Sequence, residues 1–242
     1  LLNRANFVGV FIGIESPDPA TLIAMRKKQN TRRNIAESIH KVYAAGLFVT
    51  AGFIIGFDTE QRSMADAMVD LIEEAAIPVC MVGLLYALPN TQLTRRLEAE
   101  GRLHPFPERA NVKSADQCTM GLNFATLRPR QEILADYVHV LERIYDPAAY
   151  AGRLLRLTKM LDNSGRKQQR TRAEHSRHKL GSLEIVHRIM TNLPEPREMF
   201  RRTLTQCMTS NPASIRWIVA MMALYLHVGP YSREVIGRIK TM

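Results

Sequence analysis

The chain has 242 residues, of which 46% are hydrophobic, which fits one large α/β domain or a medium domain with a small one. No apolar run reaches the roughly 18 residues that a membrane-spanning helix needs. Three cysteines that lie far apart favour a reducing compartment over a disulfide framework, so we expect a cytoplasmic protein.

The formal net charge of +10 is unevenly distributed along the chain. Residues 1–150 contain 16 Lys and Arg against 17 Asp and Glu, a balance of −1, whereas residues 151–242 contain 17 against 6, a balance of +11. This change predicts a boundary near residue 150. It also raises the hypothesis of an anionic partner for the second part.

Three continuously apolar segments predict strands that are buried on both faces, as in a parallel sheet. They are Phe7–Ile14, Leu47–Asp58 and Val79–Leu88. Helical periodicity predicts helices over residues 19–25, 35–43, 64–75 and around 93–97. Because strands and helices alternate, we expect βαβ units with right-handed crossovers.

Residues 102–128 have no sustained period, and the chain becomes helical in pattern from Pro129. One apolar stripe ends at Ile144, and Asp146-Pro147 begins a second helix that continues to about Leu161. A polar, basic connector follows at 166–179, and further helical stretches follow at 180–192, 197–208 and 213–227. We therefore predict an α/β domain over residues 1–128 and a mainly α-helical domain over 129–242.

Candidate binding groups follow the predicted strands, at the carboxyl ends where α/β folds place their ligands. Glu15 and Ser16 offer a carboxylate and a hydroxyl that suit ribose hydroxyls, and Lys27 offers an ammonium for a ligand carboxylate. Gly52 and Gly56 allow a flat heteroaromatic to approach the backbone. Structural roles remain open alternatives: a helix cap for Glu15, a solvated charge for Lys27 and a kinked core strand for the glycines.

The order and spacing of three segments resemble the second half of a radical S-adenosylmethionine (radical SAM) core. The segments are Gly13-Ile-Glu-Ser-Pro17, Gly52-x-Ile54-x-Gly56 and Leu88-Pro-Asn-Thr91. The resemblance implies strands four to six of a partial (β/α)6 TIM-like barrel, followed by a helical domain. It assigns the ribose contact to Glu15 and Ser16, the adenine neighbours to Gly52, Ile54 and Gly56, further adenine contacts to Leu85, Tyr86 and Ala87, and the methionyl carboxylate to Lys27.

If the glycines admit adenine, a valine at Gly56 should block the ligand more than it disturbs folding, unless the φ angle there is positive. The segments Ala51–Asp58 and Met81–Pro89 are closest to a subgroup with a cobalamin-binding domain ahead of the radical SAM core. In that subgroup an uncharacterised helical domain often carries an Asn-Phe pair and a Tyr-Asp-Pro-x-x-Tyr segment. Asn123-Phe124 and Tyr145–Tyr150 match this pattern.

The resemblance implies that the complete enzyme binds S-adenosylmethionine beside a [4Fe–4S] cluster, generates a 5′-deoxyadenosyl radical and, with cobalamin, methylates an unactivated carbon. The family's C-x-x-x-C-x-x-C loop is missing, because Cys80, Cys118 and Cys207 are 38 and 89 residues apart. The first three strands are missing too. We therefore expect this chain to be the carboxyl-terminal piece of a longer enzyme, with the amino-terminal part of the same enzyme as its partner. We expect it to contain no catalytic residue and no metal ligand, and to be inactive alone.

An alternative is a binding module for RNA or another anionic partner on a vestigial barrel half. Its basis is a cluster formed by Arg166, Lys167, Arg170, Arg172, Arg177 and Lys179. Aromatic residues do not alternate with these charges, which favours a solvated linker. His175-x-x-His178 has no suitably spaced cysteine or carboxylate, so the pattern does not favour a metal site there.

Overall fold

A computed structural model of the chain describes residues 1–5, 7–105, 121–162 and 194–241. The strands are β1 (Gly9–Glu15), β2 (Phe48–Ile55) and β3 (Val79–Leu84). The α-helices are α1 (Pro19–Ala24), α2 (Ile35–Ala44), α3 (Ala65–Glu74), α4 (Gln92–Ala99), α5 (Arg130–Ile144), α6 (Pro147–Met160), α7 (Pro194–Ser210) and α8 (Ile215–Lys240). Short 3₁₀ helices lie at Lys28–Thr31 and Pro212–Ser214.

The three strands form one parallel sheet in the order β1-β2-β3, with helices in the connections. The prediction of an α/β fold with a parallel sheet and a helical carboxyl-terminal region is confirmed. Gly46 and Gly101, which follow α2 and α4, have the positive φ angles (+78° and +66°) of helix-ending glycines. The bounds of both helices lie within two residues of the predicted ranges 35–43 and 93–97.

Several predicted boundaries were wrong, among them that of β3, which ends at Leu84 rather than Leu88. β2 ends at Ile55 rather than Asp58, because Gly56 has a φ of +100°, which is outside the strand region. The last helix continues to Lys240 instead of stopping near residue 227, although Pro230 interrupts its hydrogen bonds. Val235 and Ile239 are buried four residues apart beyond the proline, so packing maintains this part of the helix.

The two faces of the sheet have different environments, since successive side chains point to opposite sides. On one face, the β2 residues Val49, Ala51 and Phe53 are buried in a core that they share with residues of α2 and α3. On the other face, Phe11 of β1 and Met81 of β3 remain 60% and 67% exposed. We call this second side the open face.

Helix α5 covers the outer edge of β3. The Tyr145 hydroxyl donates to the Cys80 carbonyl oxygen at 2.5 Å and accepts from the Cys80 N–H at 3.4 Å. The Tyr137 hydroxyl donates to the Val82 carbonyl oxygen at 3.3 Å. Cys80 and Val82 alternate along β3, so their backbone groups point away from β2. Two tyrosines eight residues apart thus bind three backbone groups on a strand edge that no other described strand pairs.

The Tyr-Asp-Pro-x-x-Tyr segment joins the sheet to the helical region. Asp146 caps α6 by accepting from the Ala149 N–H at 2.9 Å, and Pro147 occupies the first turn. The Tyr150 hydroxyl donates to the Met221 carbonyl oxygen of α8 at 2.6 Å. Buried Arg153 of α6 forms an ion pair with Glu73 of α3. Among the described residues, no helix is both long and apolar enough to cross a bilayer.

Candidate functional site

Glu15 and Lys27 meet on the open face at the carboxyl end of β1, where they form an ion pair. The register with β2 shifts between Gly13 and Glu15, and Glu15 has a φ of +71°. A Cβ at Gly13 would lie 2.5 Å from Glu15 Oε1 and 3.2 Å from Lys27 Nζ. The absence of a side chain at Gly13 therefore leaves the space that the ion pair occupies.

The chain holds the exit of β1 in place with further hydrogen bonds. The Asn30 side-chain amide donates to the carbonyl oxygens of Gly13 and Ile14 at 3.2 and 3.3 Å. Ser16 is completely buried, and its hydroxyl accepts from the Asp18 N–H at 3.2 Å. The Ser16 hydroxyl thus closes a turn, whereas the Glu15 carboxylate faces the groove described next.

An apolar groove of about 340 Å³ runs along the open face. Glu15, Gly52 and Ile54 all line it, so three of the residues assigned to S-adenosylmethionine lie together. The Phe11 ring covers Gly52, since a Cβ there would lie 2.8 Å from Phe11 Cζ. α5 and α8 form the other side of the groove.

Gly56 does not line this groove and packs against Leu122 and Ile133. A Cβ at Gly56 would lie 2.6 Å from Leu122 Cδ2 and 3.3 Å from Ile133 Cγ2. Its N–H donates to Glu60 Oε2 at 3.0 Å. The backbone angle and these neighbours account for the glycine, without any contribution from a ligand.

Sequence analysis missed Glu60, a buried carboxyl group just beyond β2. It is 3% exposed, and no described atom forms a hydrogen bond with its Oε1. Burial raises the pKa of Glu60 to about 7, although the Gly56 N–H and Arg128 oppose the shift. Nothing in the sequence marks this glutamate as buried. The only local signal is an acidic residue four positions after a glycine at a strand exit.

Leu85, Tyr86 and Ala87 follow β3 and carry hydrogen bonds within the chain. The Leu85 N–H donates to the Ile55 carbonyl oxygen at 2.8 Å. Asn123 binds both backbone groups of Ala87, accepting from its N–H at 2.8 Å and donating to its carbonyl oxygen at 3.1 Å. The N–H donors of Leu85 and Ala87 are therefore already used. Their carbonyl oxygens each accept one hydrogen bond as well, from the Leu122 N–H and from Asn123, which leaves a second lone pair on each oxygen or Tyr86 for the predicted adenine contacts.

The described cysteines do not suit an iron–sulfur cluster. Burial raises the pKa of the Cys80 thiol to about 12, and it raises the pKa of Cys207, whose sulfur lies 3.2 Å from Ser214 Oγ. Within the described ranges, no group of three His, Cys, Asp or Glu side chains is placed to hold a metal ion. Cys118, the His175–His178 pair and the basic connector 166–179 lie outside those ranges.

Comparison with known proteins supports the resemblance. The family model of a domain of unknown function, DUF4070, matches residues 91–241, beginning at the residue that caps α4. An uncharacterized methyltransferase of Synechocystis is 41% identical over 153 residues, which cover 63% of this chain and 28% of that protein. The hopanoid C-2 methylase of Rhodopseudomonas palustris is 34% identical over 150 residues, covering 62% of this chain and 26% of that protein.

The aligned segments span about a quarter of the length of these curated relatives. The matches confirm the resemblance drawn from the sequence, to the carboxyl-terminal part of a radical SAM enzyme of the cobalamin-binding type with an uncharacterised helical domain.

Proposed function

From the premise that this chain belongs to the DUF4070 family, we propose that it serves a methyltransferase that uses S-adenosylmethionine at a [4Fe–4S] cluster and cobalamin. The names of both relatives support methyl transfer, and one of them specifies a hopanoid as the acceptor of that protein. The observation that carries the proposal for this chain is that Glu15, Gly52 and Ile54 line one groove, with Lys27 paired to Glu15.

The groups at this groove fit parts of S-adenosylmethionine. The Glu15 carboxylate is an acceptor for ribose hydroxyls, and the Lys27 ammonium is a partner for the methionyl carboxylate. Their ion pair keeps both groups oriented, with Lys27 still 32% exposed and Glu15 15% exposed. A ligand carboxylate would share Lys27 with Glu15, and the adenine would lie beside Ile54 and displace the Phe11 ring from Gly52.

The residues of this chain bind and orient, while the reactive chemistry and the methyl group come from the cofactors. The described cysteines do not suit the cluster, so its ligands would come from another part of the polypeptide. The apolar walls of the groove would exclude water from the reacting atoms. No residue described in this chain is assigned a proton transfer.

The half-barrel arrangement also belongs to this proposal. The outer edge of β3 is covered by Tyr137 and Tyr145, which suits the last strand of a sheet. β1 would pair with a preceding strand, so that β1, β2 and β3 become strands four to six of a partial barrel. The proposed domain boundary remains between residues 128 and 129, with the amino-terminal part of the enzyme as the partner.

Equilibrium binding of S-adenosylmethionine to the complete gene product tests the proposal. Glu15→Gln and Lys27→Met should each raise the Kd about tenfold, because each removes one charged partner of the ligand. Glu234→Gln is the control, since it disrupts an exposed ion pair with Arg238 on α8. Unchanged affinity in folded Glu15→Gln and Lys27→Met proteins would contradict the assignment.

A further inference from the structure

Helix α8 presents one face to the groove. Val228, Tyr231, Ser232 and Val235 line it, at the spacing i, i+3, i+4, i+7 that places side chains on the same side of a helix. Together with Met81 of β3, on the open face of the sheet, they form two opposed apolar walls. The groove is therefore built from the sheet and from the last helix of the chain.

Four polar side chains of this lining are turned toward partners in the chain. The Tyr137 and Tyr145 hydroxyls bind the backbone of β3, and the Ser232 hydroxyl donates to the Gly229 carbonyl oxygen at 2.8 Å. Glu15 pairs with Lys27. These groups are satisfied without a ligand, so a molecule between the two walls would meet mainly carbon.

Large apolar side chains also flank the groove at the surface. Phe11, Met81 and Tyr231 are 60%, 67% and 49% exposed. A cluster of exposed apolar residues beside a concave surface is typical of a binding site, because covering it releases apolar area from water. A volume of about 340 Å³ is within the range of small-molecule sites.

We infer that this groove binds the hydrocarbon part of the substrate, which would be an aliphatic or polycyclic molecule. The inference rests on the proposed function, because Glu15, Gly52 and Ile54 would place S-adenosylmethionine at the end of the same groove. Val228 and Val235 on the helix and Met81 on the sheet would contact the carbon skeleton. The last helix of the chain would then determine which acceptors reach the methyl group.

Pyrene, a flat hydrocarbon whose fluorescence reports its surroundings, is the probe for a binding titration with the complete gene product. Val228→Glu and Met81→Glu place a carboxylate on opposite walls, and each should raise the Kd for pyrene about tenfold or more. Leu224→Glu is the matched control: it lies on α8 one turn before Val228, is 40% exposed and does not line the groove. Its Kd should stay within about twofold of the original.

Thermal unfolding of each variant shows whether it is folded. If Val228→Glu does not fold, Met81→Glu still tests the inference, because Met81 is exposed and a charge there should not prevent folding. Unchanged pyrene affinity in folded Met81→Glu protein would overturn the inference. So would the absence of saturable binding to the unsubstituted protein, the result expected if another part of the polypeptide fills the groove. The titration contains no S-adenosylmethionine. Pyrene binding by a protein that fails to bind S-adenosylmethionine would therefore support the apolar site while contradicting the proposed reaction.

Discussion

Gly56 has a structural reason to be glycine. Its φ angle of +100° is one that side-chain-bearing residues rarely adopt, and a Cβ would lie 2.6 Å from Leu122. The expectation that valine at this position would disturb folding less than ligand binding excluded a positive φ, so it does not apply to this backbone. A test of ligand binding must therefore use Glu15 or Lys27 instead.

Gly56→Ala should lower the free energy of unfolding more than Gly101→Ala does. Both glycines have positive φ angles, but nothing lies within 4 Å of a Cβ at Gly101. The control thus measures the backbone cost alone, about 1 kcal/mol, and we expect Gly56→Ala to cost at least about 1 kcal/mol more because Leu122 must move. Urea unfolding of the two variants measures the difference. Equal losses would show that the packing around Leu122 adjusts freely.

Glu60 makes the stability of the protein depend on pH. Its pKa is raised from 4.5 to about 7 in the folded chain, so between these values the folded state holds a proton that the unfolded state has released. Stability therefore falls as pH rises from about 4.5 to about 7 and changes no further through this group above pH 7. Glu60→Gln keeps an oxygen that accepts from the Gly56 N–H and removes the titration.

The difference in unfolding free energy between Glu60→Gln and the unsubstituted protein should grow by up to about 3 kcal/mol over this interval, in favour of the glutamine. Chemical denaturation at a series of pH values measures it. Glu74→Gln, a change at an exposed position of α3, should give a curve parallel to that of the unsubstituted protein. A Glu60→Gln curve that is parallel as well would contradict the buried titration.

At the scale of elements, α5 replaces a neighbouring strand along the outer edge of β3. Tyr145→Phe should lower the free energy of unfolding, because it removes both hydrogen bonds between the tyrosine hydroxyl and the Cys80 backbone while keeping the ring. The loss should be about 1–3 kcal/mol, the cost of leaving buried polar groups without partners. Hydrogen exchange should accelerate most at the Cys80 amide.

Tyr43→Phe is the comparison for this experiment, since its hydroxyl is also buried but donates to the Ala76 carbonyl oxygen at 3.2 Å, outside β3. That variant should leave the exchange of Cys80 unchanged. If Tyr145→Phe also leaves Cys80 protected, the edge of β3 does not depend on the tyrosine hydroxyl.

The sequence supplied the order of elements but not all of their contacts. Alternating strand and helix patterns, with glycines after α2 and α4, were enough for the α/β class and for most helix bounds. The Tyr-Asp-Pro-x-x-Tyr segment was recognised as a motif, yet its function as a link between strand edge and helix became visible only in three dimensions. The end predicted for the last helix, near residue 227, was wrong because a local pattern does not include the packing of Val235 and Ile239.

At the scale of the whole molecule, one continuous cluster of buried residues extends from the sheet to α8. Arg153 contributes to this continuity, as it pairs with Glu73 of α3 and also donates to the Ile144 carbonyl oxygen. Charge counting along the chain detects a change in composition near residue 150. It cannot detect an arginine that carries its charge into the core.

The candidate site, too, could be predicted only in part from the sequence. Alternation of strands and helices predicts that strand ends meet, which explains why Glu15, Gly52 and Ile54 lie along one groove. The contribution of α8 could not be predicted, since Val228 and Val235 are about 145 to 220 residues away from Met81 and Glu15 in the sequence. Contacts between distant segments depend on tertiary packing rather than on any local pattern.

The tyrosine cover of β3 has a consequence for synthesis of the chain. Tyr145 is added about sixty residues after the end of β3, which takes roughly 3–12 s on the ribosome at typical elongation rates. During that interval the edge of β3 can pair with any passing strand, including one from a neighbouring nascent chain. The yield of active protein would then depend on the speed of translation. Slow codons between β3 and α5 would prolong the exposure of the strand edge, and a chaperone bound to that edge would reduce mispairing.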